Sequence, residues 1–330
     1  MCLLTLLINV LTYVIVTLLY RSAYNPASIQ LAVDTINELE KEDKLGSIVI
    51  ESCDKRWNAT LDSDLVKKAL QSEMKAAHDL GIEYGVLVVL GDQDINITVS
   101  ELKNGAKEAV LDLIQPWNGG WERLVNSITS ARKEAVPLGE EYLGAGAFFD
   151  PKLLGSSPVS FIKYPLSYLV RSPAYVFAIG ALILLSGSDA DAAGLDELST
   201  TDLLESLLFS ALETVIFARI FLKELLADRN IVLAENILQQ CRNYEKKSSS
   251  GWFDNLFQEE SDADLASGAI YAPDSVVGRQ EEGKVVIAVL GLAHLNGIKK
   301  LLTKKSWFFV VVYIMYSSKC HVHKFQVIQI

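Results

Sequence analysis

The stretch VVIAVLGLAHLNGI, residues 285–298, decides how the rest of the chain is interpreted. Six aliphatic residues lead into Gly291, and His294, one of four histidines in the chain, follows three residues later. Such a run predicts a buried strand that ends in a tight turn and presents an imidazole before the next helix. In an open α/β sheet, ligands and catalytic groups collect at the carboxyl ends of the strands. We therefore expect His294 to lie in such a crevice.

Two other apolar segments are predicted strands, and acidic residues follow both of them. Residues 47–50 lead directly into Glu51, and residues 86–90 lead into a glycine followed by Asp92 and Asp94. A single acid after a strand most often lies in a solvated loop. Here, however, three predicted strands are each followed by a residue that can take part in chemistry: Glu51, Asp92 with Asp94, and His294. This repetition favours one shared site at the sheet edge.

Predicted helices alternate with these strands. The first covers residues 25 to about 42 and should end before Gly46, and the second covers residues 62–80 and should end at Gly81. Helix followed by strand, twice, predicts an α/β (α+β) fold, a mixed sheet with helices packed on it.

Glycine and proline interrupt the middle of the chain, so we expect a loop-rich, helical insert at about residues 116–200. Within it, residues 174–186 are uncharged but too few to span a bilayer comfortably. A core helix is the first interpretation of this run. A helix that rests on a membrane or closes over the site is the second.

Residues 201–247 contain no glycine or proline and have apolar residues at helical spacing, which predicts one or two amphipathic helices against the sheet. Arg219 and Arg229 interrupt this apolar pattern. A buried arginine needs a partner, because an unpaired charge in the interior is strongly unfavourable. Each therefore pairs with an acid for structural reasons, or one of them reaches the site and holds an anionic group.

The two ends of the chain differ from the segment between them. Residues 1–20 carry no charge. Two interpretations of this segment are possible, a membrane anchor and a buried first strand. Residues 306–330 form a hydrophobic tail of uncertain status. It contains Cys-His-Val-His at 320–323, for which metal binding is disfavoured because no matching ligands lie nearby in the sequence. A single domain is expected over residues 21–305.

Composition excludes some classes of function. The net charge of −11 argues against nucleic acid as a partner. Four widely spaced cysteines indicate neither a zinc ribbon nor a disulfide scaffold. No glycine-rich phosphate-binding spacing occurs, so a nucleotide-binding enzyme is disfavoured.

Four motifs, in order along the chain, resemble those of one known family. They are SIVIESCDKR at 47–56, LGDQDINIT at 90–98, LADRNIVLA at 226–234, and GLAH at 291–294 followed by Gly297 and Ile298. From about residue 24 to 302 the chain resembles the TraB domain, whose family includes TraB, PrgY, GumN and the Tiki proteases.

The resemblance implies an EreA/ChaN-like fold with a long helical C-terminal half. It also implies a metalloprotease-like hydrolase, or a protein that acts on small peptide signals, as in pheromone shutdown. A divalent metal (Zn, Mn or Co) would be held by His294 and Glu51, with Asp92 and Asp94 as further candidates. Glu51 would serve as ligand or general base, and Arg229 would stabilise negative charge or orient a carboxylate. The supporting residues are Arg56, Gly291 and Asp228.

One departure from the family pattern is serious. The first of two expected Gly-x-x-His motifs would fall at residues 20–23, which read YRSA. A catalytic zinc site usually has three protein ligands, and one histidine with one glutamate falls short of that number. The chain also has Gln93 where the family has arginine, and Asp228 where it has glutamate.

Two explanations and two functions stay open at this point. Either the chain is a natural non-catalytic member, or the first twenty-odd residues and the tail after Lys305 are not the true ends of the protein. Two functions are possible for the chain. One is a metal-dependent hydrolase of a peptide or small amide, and the other is a catalytically silent, membrane-associated binding or scaffold protein. The expected location is membrane-associated or organellar, with a cytoplasmic location as the alternative.

Overall fold

A computed structural model describes residues 25–61, 72–137, 139, 142, 200–244, 270–271, 284–305 and 313–314. The chain is an α/β protein in which helices pack on a small sheet. The strands are β1 (Leu45–Ile50), β2 (Leu87–Leu90), β3 (Ile270–Tyr271), β4 (Val285–Val289) and β5 (Tyr313–Ile314). Their order in the sheet is β3-β2-β1-β4-β5, and only the β2–β3 pairing is antiparallel among these strands.

The three longer strands, β1, β2 and β4, end level with one another. Ile50 pairs with Leu90 on one side and with Val289 on the other. The pairing continues past the strands, because the Glu51 amide donates to the Val289 carbonyl (3.1 Å) and the Gly91 amide donates to the Ile50 carbonyl (2.9 Å). The residues that follow these three strands therefore leave the sheet at the same edge.

Five α-helices precede residue 137 in the described part of the chain. They are α1 (Pro26–Lys41), α2 (Asp54–Leu61), α3 (Glu73–Glu83), α4 (Ile95–Ile114) and α5 (Gly120–Ala135), with a 3₁₀ turn at Pro116–Asn118. The start of α1 is fixed by its sequence, since Asn25 Oδ1 accepts a hydrogen bond from the Ala27 amide (2.9 Å) and proline occupies the first position.

The later helices form one long segment and one separate helix. A continuous helical run comprises α6 (Thr200–Ile220), a π-helical turn (Phe221–Ala227) and α7 (Asp228–Asn243), and α8 (Leu292–Lys305) follows β4. The π-turn ends at Ala227, and Arg229 follows in the first turn of α7. Such turns occur often at functional sites.

The sheet has helices on both faces, and the strands alternate between them. Val49 and Ala288 face α7 and α8, where they pack with Leu233 and Ile298. Ile48, Ile50 and Val88 face α1 and α3 on the other side. The buried cluster there also contains Ile36, Leu39, Ala77 and Ile287. Full burial of one such side chain contributes roughly 1.5–3 kcal/mol. Helices α4 to α6 and the π-turn enclose a further apolar cluster.

The structure confirms the predicted strands, the first helix and the helical segment after residue 200. The first helix ends at Lys41, close to its predicted end, but the residue that turns the chain is Asp43, which has a positive φ of 52°, and Gly46 lies inside β1. The predicted end of the second helix was wrong. Gly81 lies inside α3, where it permits close packing, because a Cβ there would lie 2.4 Å from Val88 Cγ2.

Helix α5 lies at the start of the region where a loop-rich, helical insert was predicted. This helix has 16 residues and buries Leu124, Ile128 and Ala131. Its flanking glycine and proline residues mark the turn before it and the segment after it, not an interruption. Helix α2 was not predicted.

Several predicted segments lie outside the described residues: 1–20, 174–186, 320–323 and most of 306–330. Among the helices that the structure does describe, none is both long enough and apolar enough to cross a membrane.

Candidate functional site

Glu51 lies at the centre of a group of charged residues at the carboxyl edge of the sheet. Its Oε1 atom is 3.0 Å from Arg229 Nη2 and 3.2 Å from His294 Nε2. Its Oε2 atom accepts a hydrogen bond from the Gly291 amide (2.6 Å). The Glu51 side chain is 11% exposed. Strand β1, helix α7 and the β4–α8 turn therefore meet at one carboxylate, as the positions after the strands predicted.

Gly291 permits this approach. A Cβ atom at this position would lie 2.9 Å from Glu51 Oε2, closer than real Cβ contacts allow. A side chain at position 291 would therefore push the Glu51 carboxylate away from the Gly291 amide.

Asp92 forms the second half of the network, and its side chain is fully buried. Its Oδ1 atom accepts from Arg229 Nε (3.0 Å) and from the Gln93 amide (2.8 Å). Its Oδ2 atom accepts from Arg229 Nη2 and from Arg56 Nη2. Both carboxylate oxygens are thus occupied by donors, which is the arrangement that a buried carboxylate requires.

Arg229 joins the two carboxylates, because its guanidinium contacts both Glu51 and Asp92. Burial opposes its charge, but Glu51 and Asp92 outweigh this effect and raise the pKa of Arg229 above its ordinary value. Its position follows from the packing of α7, whose Leu233 and Ile237 are buried against the sheet. Packing therefore places a fixed positive charge between two acids.

Arg56 is the part of the network nearest to solvent. Its side chain is 35% exposed, whereas that of Asp92 is fully buried. Arg56 Nε also donates to Cys53 Sγ (3.3 Å). Burial opposes the charge of Arg56, but the neighbouring Asp92 raises its pKa above the ordinary value.

The environment of Glu51 makes it a weak base. Burial alone would raise the pKa of this carboxyl, but His294, Arg229 and the Gly291 amide together hold its pKa well below the usual range. Efficient general bases have a pKa near the working pH. In this arrangement Glu51 acts as a fixed negative charge.

His294 is 4% exposed and lies in the first turn of α8, not before the helix as the sequence predicted. Its Nδ1 atom is 2.6 Å from Asn230 Oδ1. Sequence reasoning missed Asn230 as a site residue. Its signal was its place in the LADRN motif directly after Arg229, but no sequence pattern shows that it reaches His294.

Two candidate residues lie outside this network. Asp94 caps α4 by accepting from the Asn96 amide (2.7 Å), and it lies 3.5 Å from Lys55. Asp228, one residue before Arg229, lies 3.8 Å from Lys223. Burial and a hydrogen bond to Glu224 raise the pKa of Asp228 to about 6.

Arg219, the other arginine singled out in the sequence, belongs to a separate buried cluster. Its Nη1 atom donates to Glu224 Oε1 and its Nη2 atom donates to Glu108 Oε2, both at 2.7 Å. Of the two alternatives for buried arginines, Arg219 therefore follows the structural one. Arg229 lies at the sheet edge with the predicted site residues.

The described residues around Glu51 do not fit a three-ligand metal centre. Glu51 and His294 are in contact, but the oxygens of Asp92, the nearest third candidate, accept from Arg229 and Arg56. Within the described ranges no group of three or more histidine, cysteine, aspartate or glutamate side chains is arranged to hold a metal ion. The positive charge beside both carboxylates is a guanidinium.

Comparison with known proteins adds no further assignment. No protein-family model, curated protein or solved structure matches the chain.

Proposed function

We propose that this chain is a TraB-domain protein that retains the site of a peptidase-like hydrolase in a degenerate form. The observation that supports this most strongly is the convergence of Glu51, Arg229 and His294 at one sheet edge. These residues come from three of the four motifs that resemble the family, and the contact between Glu51 and the Gly291 amide joins positions 240 residues apart. The finer fold expectation, an EreA/ChaN-like domain with a long helical C-terminal half, belongs to the same proposal.

Two features favour the degenerate form over an active hydrolase. The pKa of Glu51 is too low for an efficient general base. In addition, Arg229 forms ion pairs with both Glu51 and Asp92, so the carboxylates already have a cation between them. A metal would have to displace this guanidinium, which leaves a buried positive charge without its partners.

The same residues are suited to binding a peptide or a small amide. Arg56 is the network member with the most solvent contact, and a guanidinium binds a carboxylate or a carbonyl oxygen through directional hydrogen bonds. Arg56 is therefore the network residue that a ligand in solvent can contact most readily, because Glu51 and His294 are more deeply buried.

Metal content and peptide turnover of the full chain test this proposal. The protein would be saturated with Zn, Mn or Co, freed of excess, and measured by mass spectrometry, then assayed on a mixture of short peptides. We expect clearly less than one equivalent of metal, and no turnover that depends on His294. His294→Ala and Glu51→Gln are the test variants, and His78→Ala, a buried histidine outside the site, is the matched control.

The opposite result would replace the proposal with an active enzyme. Near-stoichiometric metal and peptide hydrolysis, both lost in His294→Ala and kept in His78→Ala, would show that the site works without the first Gly-x-x-His motif. Peptide binding without turnover, weakened by Arg56→Ala, would support the degenerate form.

A further inference from the structure

Helix α4 has small residues on its buried side and large apolar residues on its exposed side. Its buried residues are Thr98, Gly105 and Ala109. Its exposed large apolar residues are Ile97, Val99, Val110, Leu111 and Ile114. A helix on the surface of a globular protein normally has the opposite arrangement, with the larger apolar side chains facing the core. The packing of this fold therefore does not explain the exposed side of α4.

The exposed apolar residues continue around the turn that joins α4 to α5. Trp117 is 76% exposed, Trp121 is 58% exposed and Ile114 is 54% exposed. Val110 and Leu111 lie one helical turn before Ile114 and are exposed as well. We call these five residues the tip surface. An exposed apolar patch on an otherwise polar exterior marks a place where the protein contacts a partner or a membrane.

Hydrogen bonds and close packing hold the turn under the tip surface in place. Trp121 Nε1 donates to the Leu113 carbonyl (2.9 Å), which fixes the indole ring against the end of α4. Arg123 Nε donates to Asp112 Oδ1 (2.9 Å) across the turn. Gly120 lets α5 begin close to α4, because a Cβ atom there would lie 2.1 Å from the Asp112 carbonyl oxygen. The apolar side chains are therefore presented by a preformed turn.

Two lysines lie on the same side of α4 as the tip surface. Lys103, Lys107, Val110 and Ile114 follow one another at intervals of three or four positions, so they share one side of the helix. Both lysines are exposed. The chain as a whole has a net charge of −11. A basic strip beside an apolar surface is therefore opposite in sign to the protein that carries it.

The acids nearest to this strip are mostly paired with arginines. Glu108 forms an ion pair with Arg219, and Asp112 forms one with Arg123. Glu122 is the exposed acid that follows Trp121 in the sequence. The charge of the two lysines is therefore not cancelled by Glu108 and Asp112, which lie on the flanks of α4.

We propose that the tip surface and the lysine side of α4 bind the surface of a bilayer that contains anionic phospholipid. Tryptophan rings favour the level of the lipid headgroups, and aliphatic side chains enter the boundary with the acyl chains. The lysine stems can lie along the apolar region while their ammonium groups reach the phosphates. This proposal does not rest on the proposed hydrolase-type function, and it requires no helix that crosses the bilayer.

A second copy of this chain fits the surface less well than a lipid bilayer does. Two copies in contact through this surface would bring the lysines of both into one interface, and lysine is depleted at protein–protein interfaces. Anionic headgroups supply the opposite charge and attract lysines near the membrane surface. Charge complementarity therefore favours the lipid.

Flotation of the full chain with lipid vesicles tests this proposal. The vesicles would be phosphatidylcholine alone, or phosphatidylcholine mixed with phosphatidylserine. We expect the wild type to bind the mixed vesicles more tightly and to lose this preference in high salt. Lys103→Gln/Lys107→Gln should weaken binding to the mixed vesicles roughly thirtyfold and leave binding to phosphatidylcholine unchanged. Ile114→Ser/Trp117→Ser should weaken binding to both kinds of vesicle by about tenfold or more.

Two control variants are matched to these changes. Lys41→Gln/Lys133→Gln removes two exposed lysines from the last turns of α1 and α5, and Ile231→Ser removes an exposed aliphatic side chain from α7. Both should bind as the wild type does. All the substituted side chains are exposed, and thermal melts would check that each variant is folded.

Three results would overturn the proposal. One is test variants that bind as tightly as the wild type, and another is a wild type that does not distinguish the two kinds of vesicle. The third is a wild type that binds neither, which would leave the surface to a protein partner or to another segment of this chain. Light scattering identifies a second copy: dimers that dissociate in Ile114→Ser/Trp117→Ser would assign the surface to self-association instead of lipid.

Discussion

Two arginines ten positions apart on one continuous helical segment are both buried, and both contact two carboxylates, yet their surroundings differ. Arg219 pairs with Glu224 in the adjoining π-turn and with Glu108, which is 61% exposed. Arg229 pairs with Glu51 and Asp92, which follow two strands of the sheet and are almost fully buried. Burial of a charged side chain therefore does not by itself distinguish a functional site from a structural ion pair. The distinction is that Arg229 also lies beside a histidine at the carboxyl edge of a parallel sheet.

The largest expected effect comes from removing Asp92, the fully buried acid that Arg56 and Arg229 share. Asp92→Ala leaves Arg229 and Arg56 close together without their shared partner, which should destabilise the fold by about 3–5 kcal/mol. Glu108→Ala removes an exposed partner of Arg219 and should change stability by less than about 1 kcal/mol. Urea denaturation of both variants measures the difference. Equal effects would show that the two networks are energetically alike.

Glu51→Gln should destabilise the protein by about 1.5–3 kcal/mol at neutral pH, because charge-assisted hydrogen bonds are lost. The pKa of Glu51 is lowered in the folded state, so its contribution is present above the unfolded value of about 4.3 and is lost as pH falls through the lower folded value. The advantage of wild type over the variant should therefore shrink below pH ~4. Thermal melts from pH 3 to 8 would show this, and a constant difference across that range would contradict it.

Each network has a glycine that makes room for it, and these glycines provide a matched pair. A Cβ at Gly105 would lie 2.5 Å from Glu224 Oε1, and one at Gly291 would lie 2.9 Å from Glu51 Oε2. Gly105→Ala and Gly291→Ala should each destabilise the fold by about 1 kcal/mol, because overpacking exceeds the gain in backbone entropy. Only Gly291→Ala should weaken peptide binding. Weaker binding in Gly105→Ala would show that the cluster around Arg219 also contributes to the site.

The smallest effect concerns Asp228, whose pKa is raised to about 6 by burial and by Glu224. A raised pKa means that the folded state prefers the protonated acid, so stability falls as pH rises from the unfolded value of about 3.9 through 6. Asp228→Asn should therefore be more stable than wild type at pH 8 and nearly equal at pH 4. The side chain is 35% exposed, so screening limits the gain to under about 1 kcal/mol. A larger gain at pH 4 than at pH 8 would contradict the assignment.

The sequence predicted much of the site because each site residue has a local signal. Glu51, Asp92 and His294 follow apolar strands, and Arg229 interrupts an apolar helix. Sequence reasoning could not exclude Asp94, because it follows the same strand as Asp92. Only its role as the cap of α4 separates the two.

Other features had no local signal. The contact between Asn230 and His294 joins residues 64 positions apart, and the contact between Arg219 and Glu108 joins residues 111 positions apart. The π-turn at Phe221–Ala227 interrupts a segment whose composition is that of an ordinary helix. These contacts and the π-turn depend on which helices pack together. Hydrophobic periodicity predicts which face of a helix is buried, but it does not predict which element packs against that face.

The sequence by itself determined the elements and the edge at which the chemistry lies, because strand periodicity and the residues after each strand are local properties. The tertiary structure alone decided that the cation between Glu51 and Asp92 is Arg229, and that Asn230 contacts His294. Those outcomes depend on distances between α7, α8 and the sheet, which the packing of side chains sets.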